Sequence, residues 1–326
     1  MSSKKHISGI HHITAIAASA EENLRFYESV LGLRLVKQTV NFDDPYTYHL
    51  YYGNTNGSPG TIMTFFPWEK LPRGKTGTGM VTAIAFSIPN GALDYWQGRL
   101  SINGVETKSS QRFGEKVLQF EDPHGLSLEL IETPKQHSSI DRSGRRESDW
   151  YRIIEFHSAT ALLASLNGTA SLLGTLTGMV NHHREGTRYR FEMKTDNSPG
   201  QYYDVVIDPQ AEKGLQGSGT VHHIAFRAQD DVEQKYWQKA LSDAGFDVTS
   251  IRDRKYFRSI YFHEPGGVLF EIATDPPGFA VDEPVAELGR HLKLPEQYEP
   301  MRSDIERRLP PLNPSESIPK KMEAMV

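Results

Sequence analysis

Two pairs of adjacent histidines and one glutamate are the residues of this 326-residue chain best suited to metal chemistry. The pairs are His11-His12 and His222-His223, and Glu271 lies in the apolar run Val-Leu-Phe-Glu-Ile-Ala. A carboxylate inside such a run is costly unless it is paired or bound to a cation. Two imidazoles and one carboxylate form the facial ligand set of non-haem iron, which leaves positions open for other ligands. Because the chain has no cysteine, thiolate metal sites, Cys nucleophiles and disulfides are excluded.

Each histidine pair lies in a segment with the pattern of a short β-strand. Alternate residues of a strand face opposite sides of the sheet, so one histidine of each pair is expected to face a common cleft. We assign this position to His12 and His223, because the isoleucine that follows each of them would pack behind the sheet. His11 and His222 should then point away from the metal if both strands are regular.

An internal repeat places these residues in a larger plan. Residues 95–104 recur as 236–245, with Tyr-Trp-Gln, Leu-Ser and Gly at the same places, and residues 122–129 resemble 264–271. Fainter similarities extend the repeat to four modules, which start near Ile10, Val81, Glu155 and Val221. Each module has the pattern strand, helix, three strands. The sequence therefore predicts an α+β fold in which four βαβββ modules pair into two domains, with the metal site in a curved-sheet cleft.

The repeat also predicts how many metal sites the chain has. Module two keeps a carboxylate, Glu129, but has Ala83 at the place of the module-four histidine. Module three offers only His157, which we take as the counterpart of the first-module ligand. A second site would lack a ligand, so one metal site is expected. His182-His183 lies in a polar segment, where we predict solvated histidines in a loop.

The domain boundaries follow from composition. Residues 8–134 hold modules one and two, and residues 151–279 hold modules three and four. Residues 135–150 are polar and predict a linker. Residues 280–326 are rich in proline and charge and predict a surface arm, in which residues 285–292 form one short helix.

Charge and hydropathy exclude several classes of protein. The formal net charge of −5 argues against nucleic-acid binding. No apolar run reaches the roughly 18 residues of a membrane-spanning helix. The first 16 residues lack the apolar core and cleavage site of a signal peptide, so we expect a cytoplasmic protein. A homo-oligomer is compatible with these features, which do not determine the oligomeric state.

Four longer motifs resemble a known family. They are Gly9–Ile16, Leu35–Pro45, Thr61–Trp68 and Asp253–Phe262. The chain is similar from about residue 8 to 310 to the hydroquinone ring-cleaving dioxygenases, a group with chlorohydroquinone dioxygenases and bacillary methylhydroquinone-resistance enzymes. These belong to the vicinal-oxygen-chelate superfamily, with glyoxalases, bleomycin-resistance proteins and extradiol dioxygenases, so the resemblance implies two glyoxalase-like domains.

The resemblance implies Fe(II) bound by His12, His223 and Glu271, with modules one and four sharing the metal. It also implies that an aromatic diol, a substituted hydroquinone or a relative, is opened with both atoms of O₂, in aromatic degradation or quinone detoxification. An arrangement like that of classical catechol dioxygenases would use His157, His223 and Glu271 instead. We prefer His12 because His157 lacks the His-His-Ile-Thr context.

Five further site residues are implied by the resemblance: His11, Thr14, His222, Arg254 and Tyr261. Tyr261, or a histidine beside a ligand, would act as an acid, and Arg254 would stabilise an anionic substrate. The alternatives without a catalytic role are a surface cation for Arg254 and a core aromatic residue for Tyr261.

Two other functions stay open on the same scaffold. One is a glyoxalase-like isomerase or lyase that uses Zn²⁺ or Ni²⁺. Such sites commonly use more carboxylates than the single strong candidate here. The other is a binding protein that sequesters an aromatic toxin. Such proteins usually lack a metal triad and are about two modules long, so the length of the chain and its histidine pairs disfavour this function.

Overall fold

The computed structural model describes residues 5–134, 150–194 and 201–312, and these form four βαβββ units. The first comprises β1 Ile10–Ala17, α1 Ala20–Leu24 with a π-helical continuation Arg25–Val30, β2 Arg34–Asn41, β3 Asp44–Gly53 and β4 Ile62–Pro67. The second comprises β5 Met80–Pro89, α2 Leu93–Ile102, β6 Lys108–Arg112, β7 Glu115–Glu121 and β8 Ser127–Thr133. The third comprises β9 Glu155–Leu163, α3 Asn167–Ser171 with a π-helical continuation Leu172–Leu176, β10 Val180–Glu185, β11 Arg188–Met193 and β12 Gln201–Ile207. The fourth comprises β13 Thr220–Ala228, α4 Asp231–Asp243, β14 Arg252–Asp253, β15 Arg258–His263 and β16 Leu269–Thr274.

The four units combine into two eight-stranded sheets. The first has the order β14-β15-β16-β13-β1-β4-β3-β2 and joins units one and four. The second has the order β10-β11-β12-β9-β5-β8-β7-β6 and joins units two and three. Antiparallel pairs at the centre, β1 with β13 and β5 with β9, link the units within each sheet. The predicted α+β fold is therefore confirmed, and units one and four share one sheet.

Apolar side chains cover one face of each sheet and pack against the helices. Ile13 and Ile224 are register partners at the centre of the first sheet, and both are fully buried. Trp96 of α2 and Trp237 of α4 occupy equivalent places in their repeats and are also buried. This leaves the opposite, polar face of each sheet to form a cleft. Among the described residues, no helix is long and apolar enough to cross a membrane.

The C-terminal arm packs along the edge of the first sheet. The buried ammonium of Lys37 in β2 donates to Asp282, at 2.6 Å, and to Glu283. Further along the arm, the Tyr298 hydroxyl donates to the Phe42 carbonyl at 2.8 Å. A buried lysine requires such carboxylate partners. The arm thereby holds the loop that follows β2.

The arm does not contain the predicted helix over residues 285–292. Only a 3₁₀ turn forms, at Val285–Glu287, because Gly289 has a φ of +79° and approaches the Leu35 carbonyl. A Cβ at this position would lie 2.0 Å from that oxygen. The arm forms a 3₁₀ turn at Glu296–Met301 and a helix, α5, at Arg302–Arg308.

His182-His183 is exposed, as expected, but lies in the edge strand β10 instead of a loop. Pairing with β11 explains this difference, because an edge strand tolerates solvated side chains on both faces. Residues 135–149 of the predicted linker and 313–326 of the predicted arm lie outside the described residues. The division into domains at 8–134 and 151–279 stays a prediction.

Candidate metal centre

Three side chains converge from adjacent strands of the first sheet. His12 lies on β1, His223 on β13 and Glu271 on β16, and all three are buried. Glu271 Oε2 lies 2.9 Å from His223 Nε2 and 3.3 Å from His12 Nε2. The two Nε2 atoms are 3.4 Å apart. Within the described part of the chain, this is the group of histidine and acidic residues whose geometry suits a metal ion.

The donor atoms fit a divalent cation better than they fit one another. Glu271 Oε2 is buried and makes no hydrogen bond of acceptable geometry, despite the short distances to both imidazoles. Ligands held about 2.1 Å from a metal in neighbouring coordination positions are about 3 Å apart, which is the spacing found here. The second carboxylate oxygen, Oε1, accepts a hydrogen bond from Ser259 Oγ. Ser259 therefore orients the carboxylate and leaves Oε2 for the ion.

Local electrostatics keep the ligands in metal-binding form. Burial disfavours the ionised form of Glu271, but the adjacent imidazoles of His12 and His223 hold the pKa of this carboxyl well below its usual range. Burial lowers the pKa of His223, which favours the neutral imidazole. A carboxylate and a neutral imidazole are the forms that bind a metal.

A β-bulge at each histidine pair explains why the first histidine lies beside the ligand histidine. Between the register pairs Ile10↔Phe226 and His12↔Ala225, His11 is the extra residue of β1. His222 is the extra residue of β13 between Thr14↔His223 and Ala15↔Val221. Bulges of this kind turn side chains toward active sites.

The bulged histidines bond to the ligand histidines. His11 Nδ1 lies 2.9 Å from His12 Nδ1, and His222 Nδ1 lies 2.7 Å from His223 Nδ1. Burial lowers the pKa of His11, and it lowers the pKa of His222 to about 3. The expectation that both point away from the site assumed regular strands and is wrong for His222, which lines the cavity beside the triad.

A cavity of 290 Å³ opens beside the triad. Its aromatic lining is Phe42, Tyr51, Phe66, Trp68, Phe257 and Tyr261. Its polar lining includes His12, His49, His222, His223, Arg252, Arg254 and Asp43. The volume is near the lower limit of about 300 Å³ for small-molecule sites. The cavity therefore suits a ligand of about one aromatic ring.

Arg254 and Tyr261, which the resemblance implies as site residues, both line the cavity and contact each other. Arg254 Nε lies 3.4 Å from the Tyr261 hydroxyl, and its Nη2 lies 3.4 Å from Asp43 Oδ2. Burial and the Glu271 charge raise the pKa of Tyr261, so its hydroxyl stays protonated. Among the described residues, Thr14 makes no hydrogen bond to an atom of the triad. Its Oγ1 lies 2.9 Å from Thr64 Oγ1 instead.

The sequence analysis missed His49 and Tyr51, which lie on β3 in the cavity wall. The signal was present in Tyr48-His-Leu-Tyr-Tyr52, where alternation places these two side chains on one face. Nothing local indicated that this face would close the metal cleft.

The equivalent place in the second sheet holds an ion pair. Ala83 corresponds to His223, and Ser158, the register partner of Ala85, corresponds to His12. Arg112 donates to both carboxylate oxygens of Glu129, one contact being 2.9 Å. Burial opposes ionisation of Glu129, but Arg112 holds the pKa of Glu129 below its usual value.

His157 lies on β9 of this second sheet, whereas the triad lies in the first sheet. It is the bulged residue of β9, so it corresponds to His11 and not to His12 as the sequence suggested. Its Nε2 lies 3.0 Å from Glu115 Oε1. The structure thus brings His12, not His157, beside His223 and Glu271.

Comparison with known proteins agrees with this fold. Residues 9–130 and 155–272 match the family model of the Glyoxalase/Bleomycin resistance protein/Dioxygenase superfamily. The chain is 47% identical over 307 residues to the candidate ring-cleaving dioxygenase MhqO of Bacillus subtilis, covering 94% of this chain and 97% of that protein. It is 33% identical over 312 residues to the chlorohydroquinone/hydroquinone 1,2-dioxygenase of Sphingobium indicum, covering 94% and 97%.

Solved structures show the same relationship. The crystal structure of a candidate dioxygenase from Bacillus subtilis superposes with a TM-score of 0.90 at 46% identity, covering 96% of this chain and 99% of that one. Glyoxalase I of Zea mays shares the fold alone, with a TM-score of 0.62 at 12% identity over 87% of this chain and 97% of that one. The chain is thus a homologue of ring-cleaving dioxygenases and belongs to the Glyoxalase/Bleomycin resistance protein/Dioxygenase superfamily.

Proposed function

We propose that this chain is an Fe(II)-dependent dioxygenase that opens the ring of hydroquinone or a related aromatic diol, incorporating both atoms of O₂. Its role would be aromatic degradation or quinone detoxification. The convergence of three buried ligand atoms at the end of an aromatic-lined cavity carries this proposal. Iron(II) held by His12, His223 and Glu271 would supply the redox chemistry between diol and O₂, which these side chains cannot supply.

Arg254 and Tyr261 are placed to bind the oxygen of the substrate that lies at the triad. The Arg254 guanidinium stabilises a deprotonated diol oxygen, because the attraction between opposite charges is stronger in a low-dielectric cavity than in water. The protonated Tyr261 hydroxyl is a donor at the same wall and can deliver a proton as the ring opens.

His222 offers a second hydrogen-bond donor, and its tautomer follows from the ligand role of His223. If His223 binds the metal through Nε2, its Nδ1 carries the proton and donates to His222 Nδ1, 2.7 Å away. His222 then carries its own proton on Nε2. Because His222 lines the cavity, this N–H can donate to a ligand there.

The experiment is anaerobic purification, loading with Fe(II), and measurement of O₂ uptake with methylhydroquinone and with catechol. Mass spectrometry with ¹⁸O₂ should find two labelled atoms in a ring-opened product. His12→Ala, loaded in the same way, is the negative control. O₂ uptake without loss of the aromatic ring would contradict ring cleavage. Isomerisation of a hemithioacetal by the Zn²⁺ or Ni²⁺ form would favour the glyoxalase-like alternative. Diol binding without turnover would favour sequestration of an aromatic toxin.

A further inference from the structure

A row of polar side chains crosses the concave face of the first sheet and ends at a metal ligand. Tyr51 is the register partner of Thr64, Thr64 of Thr14, and Thr14 of His223. Thr64 Oγ1 lies 2.9 Å from Thr14 Oγ1 and 2.9 Å from His49 Nε2. His49 Nδ1 in turn lies 2.8 Å from the Tyr51 hydroxyl. The hydrogen bonds therefore run without a break from Tyr51 through His49 and Thr64 to Thr14, and Thr14 is the register partner of the ligand His223.

The second sheet shows that the fold does not require such a chain. Its corresponding register partners are Arg190, Asp204, Thr160 and Ala83. There, Arg190 binds Asp204 through two hydrogen bonds of 2.8 and 3.0 Å. The same backbone plan is thus stable with ion pairs on its concave face. In the first sheet, where the cavity lies, the hydrogen-bonded groups of the row are neutral. Because the fold does not require them, binding of a ligand is the better explanation for their presence.

Tyr51 lines the cavity and has hydrogen-bonding capacity left for a ligand, whereas Thr14 and Thr64 do not line the cavity. Both ring nitrogens of His49 are engaged within the row, so His49 orients its neighbour and does not bind a ligand itself. A tyrosine hydroxyl has one donor and two acceptor positions, and His49 uses one of them. Burial raises the pKa of Tyr51 well above its usual value, which keeps the group a neutral hydroxyl in the cavity wall.

The strand order places Tyr51 and Tyr261 on opposite flanks of the triad. The ligands lie on β1, β13 and β16, whereas Tyr261 lies on β15 and Tyr51 on β3. A ring whose first oxygen is at the triad, near Arg254 and Tyr261, has its far edge free to meet the other flank.

We infer that the Tyr51 hydroxyl, oriented by His49, binds the second oxygen of a para-diol and selects this class of substrate. An ortho-diol has both oxygens on one edge of the ring, and a simple phenol lacks the second oxygen, so neither presents a polar group to Tyr51. The inference rests on the proposed function, because it takes an aromatic diol at the triad as its starting point.

The test is equilibrium binding of hydroquinone and of phenol to the Fe(II)-loaded protein without oxygen, measured by calorimetry. One hydrogen bond should favour hydroquinone over phenol by about 5- to 10-fold in the wild type. Tyr51→Phe should reduce this preference to less than twofold and leave the affinity for phenol unchanged. The matched control is Tyr52→Phe. Tyr52 is the next residue of β3 and is also buried, but its hydroxyl has no hydrogen-bond partner among the described residues and it does not line the cavity.

The outcomes separate this inference from the proposed function. An unchanged preference in Tyr51→Phe would overturn the inference, while ring cleavage by the wild type would still support the function. Equal affinity of the wild type for the two ligands would overturn it without any variant. If the wild type bound no aromatic diol, both would fail. Should Tyr51→Phe not fold, Thr64→Val, which removes the hydroxyl that holds His49, is expected to reduce the same preference.

Discussion

Glu271 and Glu129 occupy the same position in the two sheets, but only Glu271 has an oxygen free for a metal. Each lies on the last strand of its module and pairs with a residue of the antiparallel strand before it. Glu271 pairs with Tyr261, and Glu129 pairs with Gln119. Glu271 Oε2 has no hydrogen bond, whereas both oxygens of Glu129 are bonded to the Arg112 guanidinium. In the second sheet the protein itself supplies the cation.

This contrast predicts one bound divalent metal per chain. In the second sheet Glu129 is paired with Arg112, and Ala83 and Ser158 take the place of the two ligand histidines. Elemental analysis of the anaerobically loaded protein should therefore give a metal-to-chain ratio near one. A ratio near two, reduced to one by a substitution at Glu129, would contradict the prediction.

The same substitution should have opposite effects at the two glutamates. Glu271→Gln removes the charge that neutralises the metal, so metal binding and O₂ uptake should be lost while the apoprotein melts no lower than the wild type. Glu129→Gln should keep the metal but leave the buried Arg112 guanidinium with one anion, Asp204, whose Oδ2 lies 3.7 Å from Arg112 Nε. Breaking a buried pair typically costs about 3–5 kcal/mol, and the amide, which still accepts one hydrogen bond, should lower the cost to about 2 kcal/mol. Metal analysis and thermal melting measure both effects, and unchanged O₂ uptake in Glu271→Gln would exclude it as a ligand.

The triad could be predicted because its signals are local. The alternation of a strand indicated which histidine of each pair shares a face with the cleft, and an apolar run marked Glu271 as a buried carboxylate that needs a cation. The bulges that bring His222 into the cavity could not be predicted in this way. They depend on the register between β1 and β13, which are more than 200 residues apart in the chain.

The far wall of the cavity was unpredictable for a similar reason. His49 and Tyr51 look like ordinary residues of a half-buried strand, and only the strand order β13-β1-β4-β3 brings them beside the triad. The ion pair of Arg112 with Glu129 likewise joins residues of different strands, so the sequence indicated a missing ligand but not the guanidinium that replaces the metal.

The choice between His12 and His157 can be tested by a matched pair of variants. His12→Ala should lose iron on dialysis, because two remaining ligands rarely retain Fe(II). His157→Ala removes contacts with Glu115 and Ser158, which lie with His157 in the second sheet, and should keep iron and most O₂ uptake. Loss of iron from His157→Ala with retention in His12→Ala would mean that modules three and four hold the metal.

Glu28, which is not part of the candidate metal site, should make the stability of the fold depend on pH. Burial raises the pKa of Glu28 to about 7, although it accepts a hydrogen bond from the Leu35 amide. Between pH 4.5 and 7 the folded state therefore holds a proton that the unfolded state has lost, so stability falls as the pH rises through this window. Glu28→Gln keeps the acceptor without the charge. Thermal melting should find it about 1 kcal/mol more stable than the wild type at pH 8 and equal at pH 4.5, allowing for partial exposure of the group. An equal gain at both pH values would exclude ionisation as the cause.

Substitution of the two bulged histidines should separate ligand orientation from catalysis. His11→Phe and His222→Phe each remove the Nδ1 partner of a ligand histidine, so both should weaken metal binding by about 10- to 100-fold. Only His222 lines the cavity, where its Nε2–H can donate to a ligand. At saturating Fe(II), His11→Phe should recover most of its turnover, whereas His222→Phe should stay reduced by about 10- to 100-fold, because loss of a positioned hydrogen-bond donor in the cavity is not restored by metal. Rates measured against Fe(II) concentration distinguish the two effects. Full recovery of His222→Phe would restrict His222 to orienting His223 and leave Tyr261 as the proton donor.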